Sequence, residues 1–247
     1  EQSARSSSAT SYLTLFLCDE TILLVTNTPD PVVEPTAEMA FALMLATARR
    51  VAECDRKLRD AASGLKWGVM ENLGVGLHGK TLGIVGLGRI GKSIARRAEA
   101  FGMKVVYHNR RETEAGNAKY CSTLDELLYV SDFVSLNVPL TDETRHLIDA
   151  DALKKMKPSA ILINTARGPV VDEPALADAL KNRPIRAAGL DVFENEPSVC
   201  PQLLALDNVV LAPHNGTATI DARIEMSRFA ARNIVNFFDG GKITCVW

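Results

Sequence analysis

The sequence predicts an α/β protein that is built on a doubly wound parallel sheet. Two observations support this prediction. From Gly79 onward, short runs rich in β-branched residues alternate with segments of helical periodicity, and a glycine-rich turn separates the first such run from the helix that follows it. Short strands that alternate with helices are typical of a parallel sheet whose two faces are both covered.

The elements of this alternating region follow from local pattern and from turn residues. Strands are predicted at residues 81–85, 104–107, 133–138, 160–164, 187–192 and 209–212. Helices are predicted at residues 89–101, 124–130, 152–156, 174–181 and 220–238. The last helix ends before Gly240-Gly241, because glycine readily adopts the left-handed conformation that closes a helix.

The first sixty residues carry weaker signals. Residues 13–17 and 22–25 resemble short strands, whereas the first ten residues are rich in serine and predict no folded element. After Pro29, Thr36 and Glu38 precede an apolar helix that is predicted to run to about Lys57. Both faces of this helix are rich in alanine, leucine and methionine, so it must be covered either by its own domain or by a second subunit.

Composition argues against several classes of function. Hydrophobic residues make up 47% of the chain, charged residues 23%, and the formal net charge is −2, so no broad basic surface for nucleic acid or an anionic membrane is expected. The most apolar run, residues 39–48, is too short to span a bilayer and indicates a buried helix. The five cysteines are scattered and form no Cys-x-x-Cys pair, which favours reduced thiols in a cytoplasmic protein over a disulfide framework or a zinc site.

The glycine-rich turn has the spacing of a dinucleotide-binding motif. Gly86, Gly88 and Gly91 form Gly-x-Gly-x-x-Gly between a predicted strand and a predicted helix, and a second strand follows. The first glycine allows a tight turn, the second lets the backbone approach a pyrophosphate, and the third lets helix and strand pack closely. A glycine turn without a ligand is the alternative interpretation, but the complete strand–helix–strand context favours a cofactor site.

The end of the second strand bears on the choice of cofactor. An acidic residue about twenty positions beyond the glycines normally binds the ribose hydroxyls of NAD. Asn109 occupies that region and is neutral, and Arg110 and Arg111 follow it. The loss of a carboxylate and the gain of guanidinium groups suit the 2′-phosphate of NADP, so NADP is preferred over NAD. The alternative is a solvated basic end of a loop.

Three residues that follow later strands have the chemistry that carbonyl reduction needs. Arg167 can stabilise negative charge on a carbonyl oxygen and bind a neighbouring carboxylate, and His214 can donate a proton. Glu196 can orient the imidazole and stabilise its charged form. Each residue alone has a purely structural alternative: a surface arginine, a helix-capping histidine and a turn before proline. All three nevertheless follow strands of the sheet that also carries the dinucleotide motif.

Longer stretches resemble one enzyme family. They are VTNTP (25–29), TAEMAFALML (36–45), GKTLGIVGLGRIGKSIARRAEAFGM (79–103), NTARGPVVDEPALADAL (164–180), GLDVFENEP (189–197) and APHNGTAT (212–219). Together they are similar to the D-isomer-specific 2-hydroxyacid dehydrogenases, and the arginine-bearing second strand is similar to that of the NADP-dependent glyoxylate/hydroxypyruvate reductases.

The resemblance implies a Rossmann-type fold, an enzymatic activity and a set of site residues. It implies an oxidoreductase that reduces a small 2-keto acid with NAD(P)H, acts as a homodimer and binds neither nucleic acid nor membrane. Arg167, Glu196 and His214 would be its catalytic residues. The implied cofactor contacts are Gly86, Gly88, Arg89, Ile90, Gly91, Asn109, Arg110, Arg111, Val138, Pro139, Thr165, Ala166, Arg167, Asp191, His214 and Gly216, with Asp191 at the nicotinamide carboxamide.

The resemblance also implies a domain organisation. Residues 1–27 would be a remnant of a flavodoxin-like substrate domain, and residues 28–218 the dinucleotide-binding catalytic domain, with a dimerisation helix in residues 28–60. Residues 219–247 would form a C-terminal helix that returns toward the substrate domain. Family members place a complete domain, with a loop for the substrate carboxylate, before the VTNTP segment. The chain is therefore expected to be either a fragment of a working reductase or a catalytically weak nucleotide-binding and dimerising module.

Overall fold

A seven-stranded parallel sheet organises the segment from Thr36 to Gly216, which forms one compact unit. The computed structural model describes residues 13–14, 25–182 and 184–244. The sheet contains β3 (Thr81–Val85), β4 (Lys104–His108), β5 (Lys119–Tyr120), β6 (Phe133–Leu136), β7 (Ile161–Asn164), β8 (Ala187–Leu190) and β9 (Val209–Leu211). Their order is β5-β4-β3-β6-β7-β8-β9, so the direction of the winding reverses between β3 and β6. The predicted doubly wound α/β sheet is confirmed.

Each central strand is buried on both faces because successive side chains point in opposite directions. On β7, Ile161 and Ile163 pack into one hydrophobic cluster, whereas Leu162 packs into another on the opposite face. The four residues of β6, of β7 and of β8 are all buried. This explains why these strands appear in the sequence as continuous apolar runs and not as alternating ones.

Helices cover both faces of the sheet. In the described ranges the helices are α1 (Val33–Ala48), α2 (Val51–Arg59), α3 (Arg89–Ala100), α4 (Leu124–Val130), α5 (Ala150–Lys155), α6 (Glu173–Asn182), α7 (Pro201–Leu204) and, in a second unit, α8 (Ile220–Phe238). Buried side chains of α1 and α3 belong to the first cluster, and those of α4, α5 and α6 to the second. Predicted bounds in the sheet region differ from these by at most two residues, and the short elements β5 and α7 were not predicted.

The predicted single helix from Thr36 to about Lys57 is wrong: two helices occupy this stretch. The α1 helix begins at Val33 and ends at Ala48, whose carbonyl accepts a hydrogen bond from Val75 N at 2.8 Å. Arg50 then adopts a left-handed conformation with φ of 57°, and α2 starts in a new direction. A backbone contact from a distant segment and one left-handed residue thus end the helix, and neither has a signal in the apolar periodicity.

The apolar surface of α1 is covered by its own unit. Ala40, Leu43 and Met44 are buried in the same cluster as residues of β3 and α3. Of the two expectations for this helix, cover by the domain is the one observed. Leu43 is only 4% exposed, so a charge placed there would disrupt the core and would not report on assembly.

The described residues before Thr36 and after Gly216 form a second unit. In it, β1 (Leu13–Thr14) pairs antiparallel with β2 (Val25–Thr26), while the rest of the predicted strands at 13–17 and 22–25, and most of residues 1–27, lie outside the described residues. The α8 helix has the predicted bounds, and Gly240 ends it in a left-handed conformation with Gly241 N donating to Asn236 O at 2.7 Å. None of the helices in the described ranges has the length and apolarity that a bilayer span requires.

Candidate active site

The glycine-rich turn lies where β3 ends and α3 begins, at the point where the winding of the sheet reverses. Open sheets of this kind bind ligands at the carboxyl ends of their strands, beside that point. Gly86 has φ of 95°, and a side chain there would place a carbon 2.6 Å from the carbonyl oxygen of Asn137 at the end of β6. Gly86 N also donates to His108 O at 3.0 Å, which ties the turn to β4. The turn is therefore held by both neighbouring strands and requires glycine.

The edge of the sheet beside this turn has space and polar groups that suit the binding of a dinucleotide. A side chain at Gly88, which begins the α3 helix, would meet no atom within 4 Å. Nearby strand ends carry buried oxygens that have no hydrogen-bond partner among the described residues: Asn137 Oδ1 after β6, Thr165 Oγ1 after β7 and Asn215 Oδ1 after β9. Buried polar atoms are normally satisfied, so the grouping of three such oxygens at strand ends fits the binding of a polar ligand. Together with the positive end of α3, the residues fit a nicotinamide dinucleotide.

Asn109, predicted to replace the acidic ribose-binding residue, is tied to the glycine turn. Its Oδ1 atom accepts a hydrogen bond from Leu87 N at 2.7 Å. Arg110 and Arg111 follow it and are exposed to solvent beyond the end of β4. The residue at this position thus supports the backbone of the turn, and the basic groups next to it are open to a ligand.

The remaining predicted cofactor contacts occupy the same edge. Arg89 and Ile90 form the first turn of α3, directly after Gly88. Val138 is half-buried and packs against the glycine turn, because a side chain at Gly86 would lie 3.0 Å from Val138 Cγ1, and Pro139 beside it is exposed.

Glu196 and His214 form a hydrogen-bonded pair. Glu196 Oε2 lies 2.7 Å from His214 Nδ1, and the two side chains are 25% and 34% exposed. The residues come from the loops after the neighbouring strands β8 and β9, so strand order brings them together. His214 has φ of 49°, an unfavourable conformation for a residue with a side chain, and such strain is common at functional sites.

Arg167 follows β7 on the loop next to that of Glu196. Its guanidinium donates to the carbonyl oxygen of Ala166 at 2.6 Å, and the residue is half-buried. No hydrogen bond or ion pair joins Arg167 to Glu196 or to His214 in the described part of the chain. The predicted trio is therefore a direct pair, plus an arginine at the same edge of the sheet.

Asp191, predicted to contact the nicotinamide, has an observed role in holding the loop of His214. Its two carboxylate oxygens accept hydrogen bonds from Asn215 N at 2.9 Å and Gly216 N at 2.8 Å. Burial raises the pKa of Asp191, and these two backbone bonds oppose the increase. Thr165 and Ala166 are buried directly after β7. Because the strands are parallel, the residues that follow β7, β8 and β9 lie at the same edge of the sheet.

Sequence reasoning missed two acidic groups and a histidine around Glu196. Glu173, in the first turn of α6, accepts a hydrogen bond from Glu194 N at 2.6 Å, and burial raises its pKa. Glu194 also pairs through its side chain with Nε2 of His146, from the loop after β6. Glu194 lies within the GLDVFENEP stretch (189–197), but no local pattern in the sequence relates it to His146.

Comparison with known proteins shows the family of the chain. Residues 41–216 match the model of the family described as "D-isomer specific 2-hydroxyacid dehydrogenase, NAD binding domain". A glyoxylate reductase of Thermococcus onnurineus is 51% identical over 222 residues, which cover 87% of this chain and 66% of that protein.

Solved structures are similar as well. A glyoxylate reductase from Paecilomyes thermophila has a TM-score of 0.83 and 41% identity, over 90% of this chain and 67% of that one. An NADPH-dependent glyoxylate/hydroxypyruvate reductase of Sinorhizobium meliloti, in complex with NADP and malonate, has a TM-score of 0.82 and 39% identity, over 90% and 70%. This chain spans about two thirds of the length of the relatives that it matches. The family match covers most of the chain, and we conclude that the chain belongs to the D-isomer specific 2-hydroxyacid dehydrogenase family, with a Rossmann-type NAD-binding domain.

Proposed function

We propose that this chain reduces a small 2-keto acid, such as glyoxylate or hydroxypyruvate, to the D-2-hydroxy acid and prefers NADPH to NADH. The observation that carries the proposal is the Glu196–His214 pair, 2.7 Å apart, on the same sheet edge as the glycine turn. A paired imidazole beside a dinucleotide cleft has the chemistry of a proton donor for carbonyl reduction. The names of the similar proteins agree with this substrate class.

The proton would be delivered by His214. Because Glu196 engages Nδ1, the nitrogen left to donate is Nε2, and the Glu196 carboxylate would stabilise the positive charge of the ring before transfer. Negative charge develops on the carbonyl oxygen during reduction, and Arg167 would stabilise it while also binding the carboxylate of the substrate. When bound, the nicotinamide cofactor supplies the hydride that adds to the keto carbon. The turn from Gly86 to Gly91 and the unpartnered oxygens of Asn137, Thr165 and Asn215 would hold it.

The preference for NADPH rests on the end of β4. Asn109 carries no charge that would repel a 2′-phosphate, and its oxygen is already used by Leu87 N. Arg110 and Arg111 are exposed beside it, and a guanidinium can bind a phosphate through two hydrogen bonds. Asn109→Asp keeps an acceptor for Leu87 N but adds a negative charge. It should therefore weaken NADPH binding and favour NADH, and a fluorescence titration that shows unchanged NADPH affinity would refute this.

Steady-state kinetics test the reaction itself. The rate of NADPH oxidation should rise with the concentration of glyoxylate or hydroxypyruvate. His214→Gln should lower it by about a hundred-fold or more, the range expected for a lost general acid. Cofactor affinity, titrated separately, should stay unchanged in this variant. The proposal fails if neither substrate supports NADPH oxidation, or if His214→Gln keeps the parental rate.

We also propose that the chain forms a homodimer, through the irregular segment between α2 and β3. Four large apolar side chains of this segment are exposed, Trp67 and Val69 by as much as 85% and 93%, and Met70 and Leu73 less completely. A cluster of exposed apolar side chains of this kind is typical of a protein–protein interface. This segment replaces the apolar helix as the basis for the proposal, because α1 is buried within its own unit.

The proposed location is the cytoplasm. Cys54, Cys121 and Cys200 are free thiols in the structure, and Cys18 and Cys245 lie outside the described residues. Scattered free thiols are usual in reducing compartments. Fractionation of the source cells, with immunodetection of the protein, tests this proposal.

A further inference from the structure

A second histidine–glutamate pair lies beside the Glu196–His214 pair. His146 Nε2 is hydrogen-bonded to Glu194 Oε1, and the Glu194 side chain is only 16% exposed. His146 has φ of 50°, so its backbone adopts the same left-handed conformation as that of His214. This left-handed conformation is unfavourable for a residue with a side chain, so it is maintained only where contacts with the surrounding structure impose it.

Glu194 and Glu196 belong to one turn, residues 193–196, which is held from several sides. The turn is closed internally, because Phe193 N donates to Glu196 Oε1 at 3.0 Å. From α6, Glu173 Oε1 accepts the bond of Glu194 N at 2.6 Å. The other carboxylate oxygen of Glu196 faces His214, so the orientation of this turn determines where the His214 ring is held.

The loop of Arg167 packs directly against the same turn. A side chain at Gly168 would place a carbon 1.9 Å from the carbonyl carbon of Phe193, so only glycine permits this approach. The loop of His146 is joined to the Arg167 loop as well, because His146 N donates to Pro169 O at 2.8 Å. The backbone of His146 thus contacts the loop that carries Arg167, while its ring contacts the turn that carries Glu196.

We propose that His146 is a positioning residue for the reduction. By pairing with Glu194, it fixes the 193–196 turn, so that Glu196 holds the His214 ring in a defined position relative to Arg167. This inference rests on the proposed function and assigns a role to a residue outside the Arg167, Glu196 and His214 set. In the described part of the chain, no hydrogen bond joins His146 to His214 or to the guanidinium of Arg167. A shift of a reacting group by about 1 Å can lower a rate by about a hundred-fold, so partial loss of this positioning should cost about ten-fold in activity.

Cofactor affinity should not depend on this pair, although the His146 loop begins beside the glycine turn. Residues 139–145 form a turn that is closed by its own bonds. Thr144 Oγ1 donates to Pro139 O at 2.6 Å and accepts from Thr141 N at 2.7 Å, and Arg145 N donates to Thr141 O at 3.0 Å. The loss of the His146 side chain therefore leaves the cofactor end of the loop intact, so kcat and cofactor binding should respond differently.

The experiment uses four variants and a matched control. His146→Asn removes the pairing group but keeps a residue that tolerates left-handed conformations, and Glu194→Ala removes the partner. Each should lower kcat about ten-fold with less than about a two-fold change in NADPH affinity, and the double variant should be no slower than either alone. Glu194→Gln, whose amide oxygen still accepts from His146, should keep kcat within about three-fold of the parent. Lys155→Gln breaks the exposed Lys155–Asp125 pair between α5 and α4 and should change nothing.

A spectroscopic readout separates this inference from the proposed reaction. The chain has four histidines, so the His214 ring resonance can be assigned in a ¹⁵N spectrum by its absence in His214→Gln. In His146→Asn that resonance should shift while those of His78 and His108 stay in place. A shift in a chain that reduces no 2-keto acid would refute the proposed function and still support the positioning role. An unchanged His214 resonance, parental kcat in His146→Asn, or multiplicative losses in the double variant would overturn the inference.

Discussion

Replacement of Glu53 by Gln tests how the junction between α1 and α2 is stabilised. Glu53 lies in the first turn of α2, and its side chain is 9% exposed. It accepts a hydrogen bond from Arg50 Nε at 2.7 Å and another from Lys57 Nζ at 2.6 Å. The hydrogen bond from Arg50, and to a lesser extent that from Lys57, lowers the pKa of Glu53 to about 2, although burial opposes this. Because Arg50 is the left-handed residue between the helices, this carboxylate holds the direction of α2.

The magnitude follows from the pKa. A decrease from 4.5 to about 2 corresponds, at about 1.4 kcal/mol per pKa unit, to at most about 3.5 kcal/mol of stabilisation. The Arg50 and Lys57 side chains are 32% and 35% exposed, so solvent screening should reduce the loss in Glu53→Gln to about 1–2 kcal/mol. The folded-state pKa lies below the unfolded one, so this stabilisation is complete above about pH 4.5 and disappears as the pH falls toward 2.

Urea unfolding of the parent and the variant between about pH 7 and pH 3 measures this effect. The free energy of unfolding should differ most at neutral pH, and the difference should shrink as the solution is acidified. Asp55→Asn is the matched control, since the exposed Asp55–Arg59 pair on the same helix should contribute nothing measurable. Equal unfolding midpoints at neutral pH, or a difference that persists undiminished in acid, would show that the junction does not depend on this carboxylate.

Three further predictions concern the cofactor, the assembly and the site. Arg110→Ala should weaken NADPH binding about ten-fold in fluorescence titrations and leave NADH binding unchanged. Lys104→Ala, at the other end of β4, should change the affinity for neither cofactor. Equal losses of affinity for both cofactors in Arg110→Ala would contradict a contact with the 2′-phosphate. Val69→Glu should convert the proposed dimer to a monomer in light scattering, whereas Tyr129→Glu, at another exposed position on α4, should leave the mass unchanged. A dimer that survives Val69→Glu would exclude this interface. Gly168→Ala should lower both the melting temperature and kcat, because the added carbon would overlap the backbone at Phe193 in the neighbouring loop. A variant with the parental melting temperature and kcat would show that these two loops can separate freely.

The sequence alone determined the architecture of the sheet and predicted the edge at which the candidate site lies. Strand and helix periods are local properties, so the alternation from Gly79 onward predicted the doubly wound sheet and most element bounds within one or two residues. The carboxyl ends of parallel strands share one edge, so the strand pattern alone predicts that Arg167, Glu196 and His214 lie in the same region. The strand–glycine turn–helix context likewise predicted the dinucleotide cleft.

Only the tertiary structure decided which groups are paired and which surfaces are covered. The bonds of Asn109 to Leu87, and of His146 to Glu194, join residues that are far apart in the sequence, and they depend on strand order and loop shape. The break after Ala48 likewise depends on a hydrogen bond from another segment of the chain. Periodicity identifies an apolar face but not what covers it, which is why burial of α1 within its own unit could not be distinguished from burial at a dimer interface. Contacts between residues distant in sequence depend on how the whole chain packs, and no local pattern encodes them.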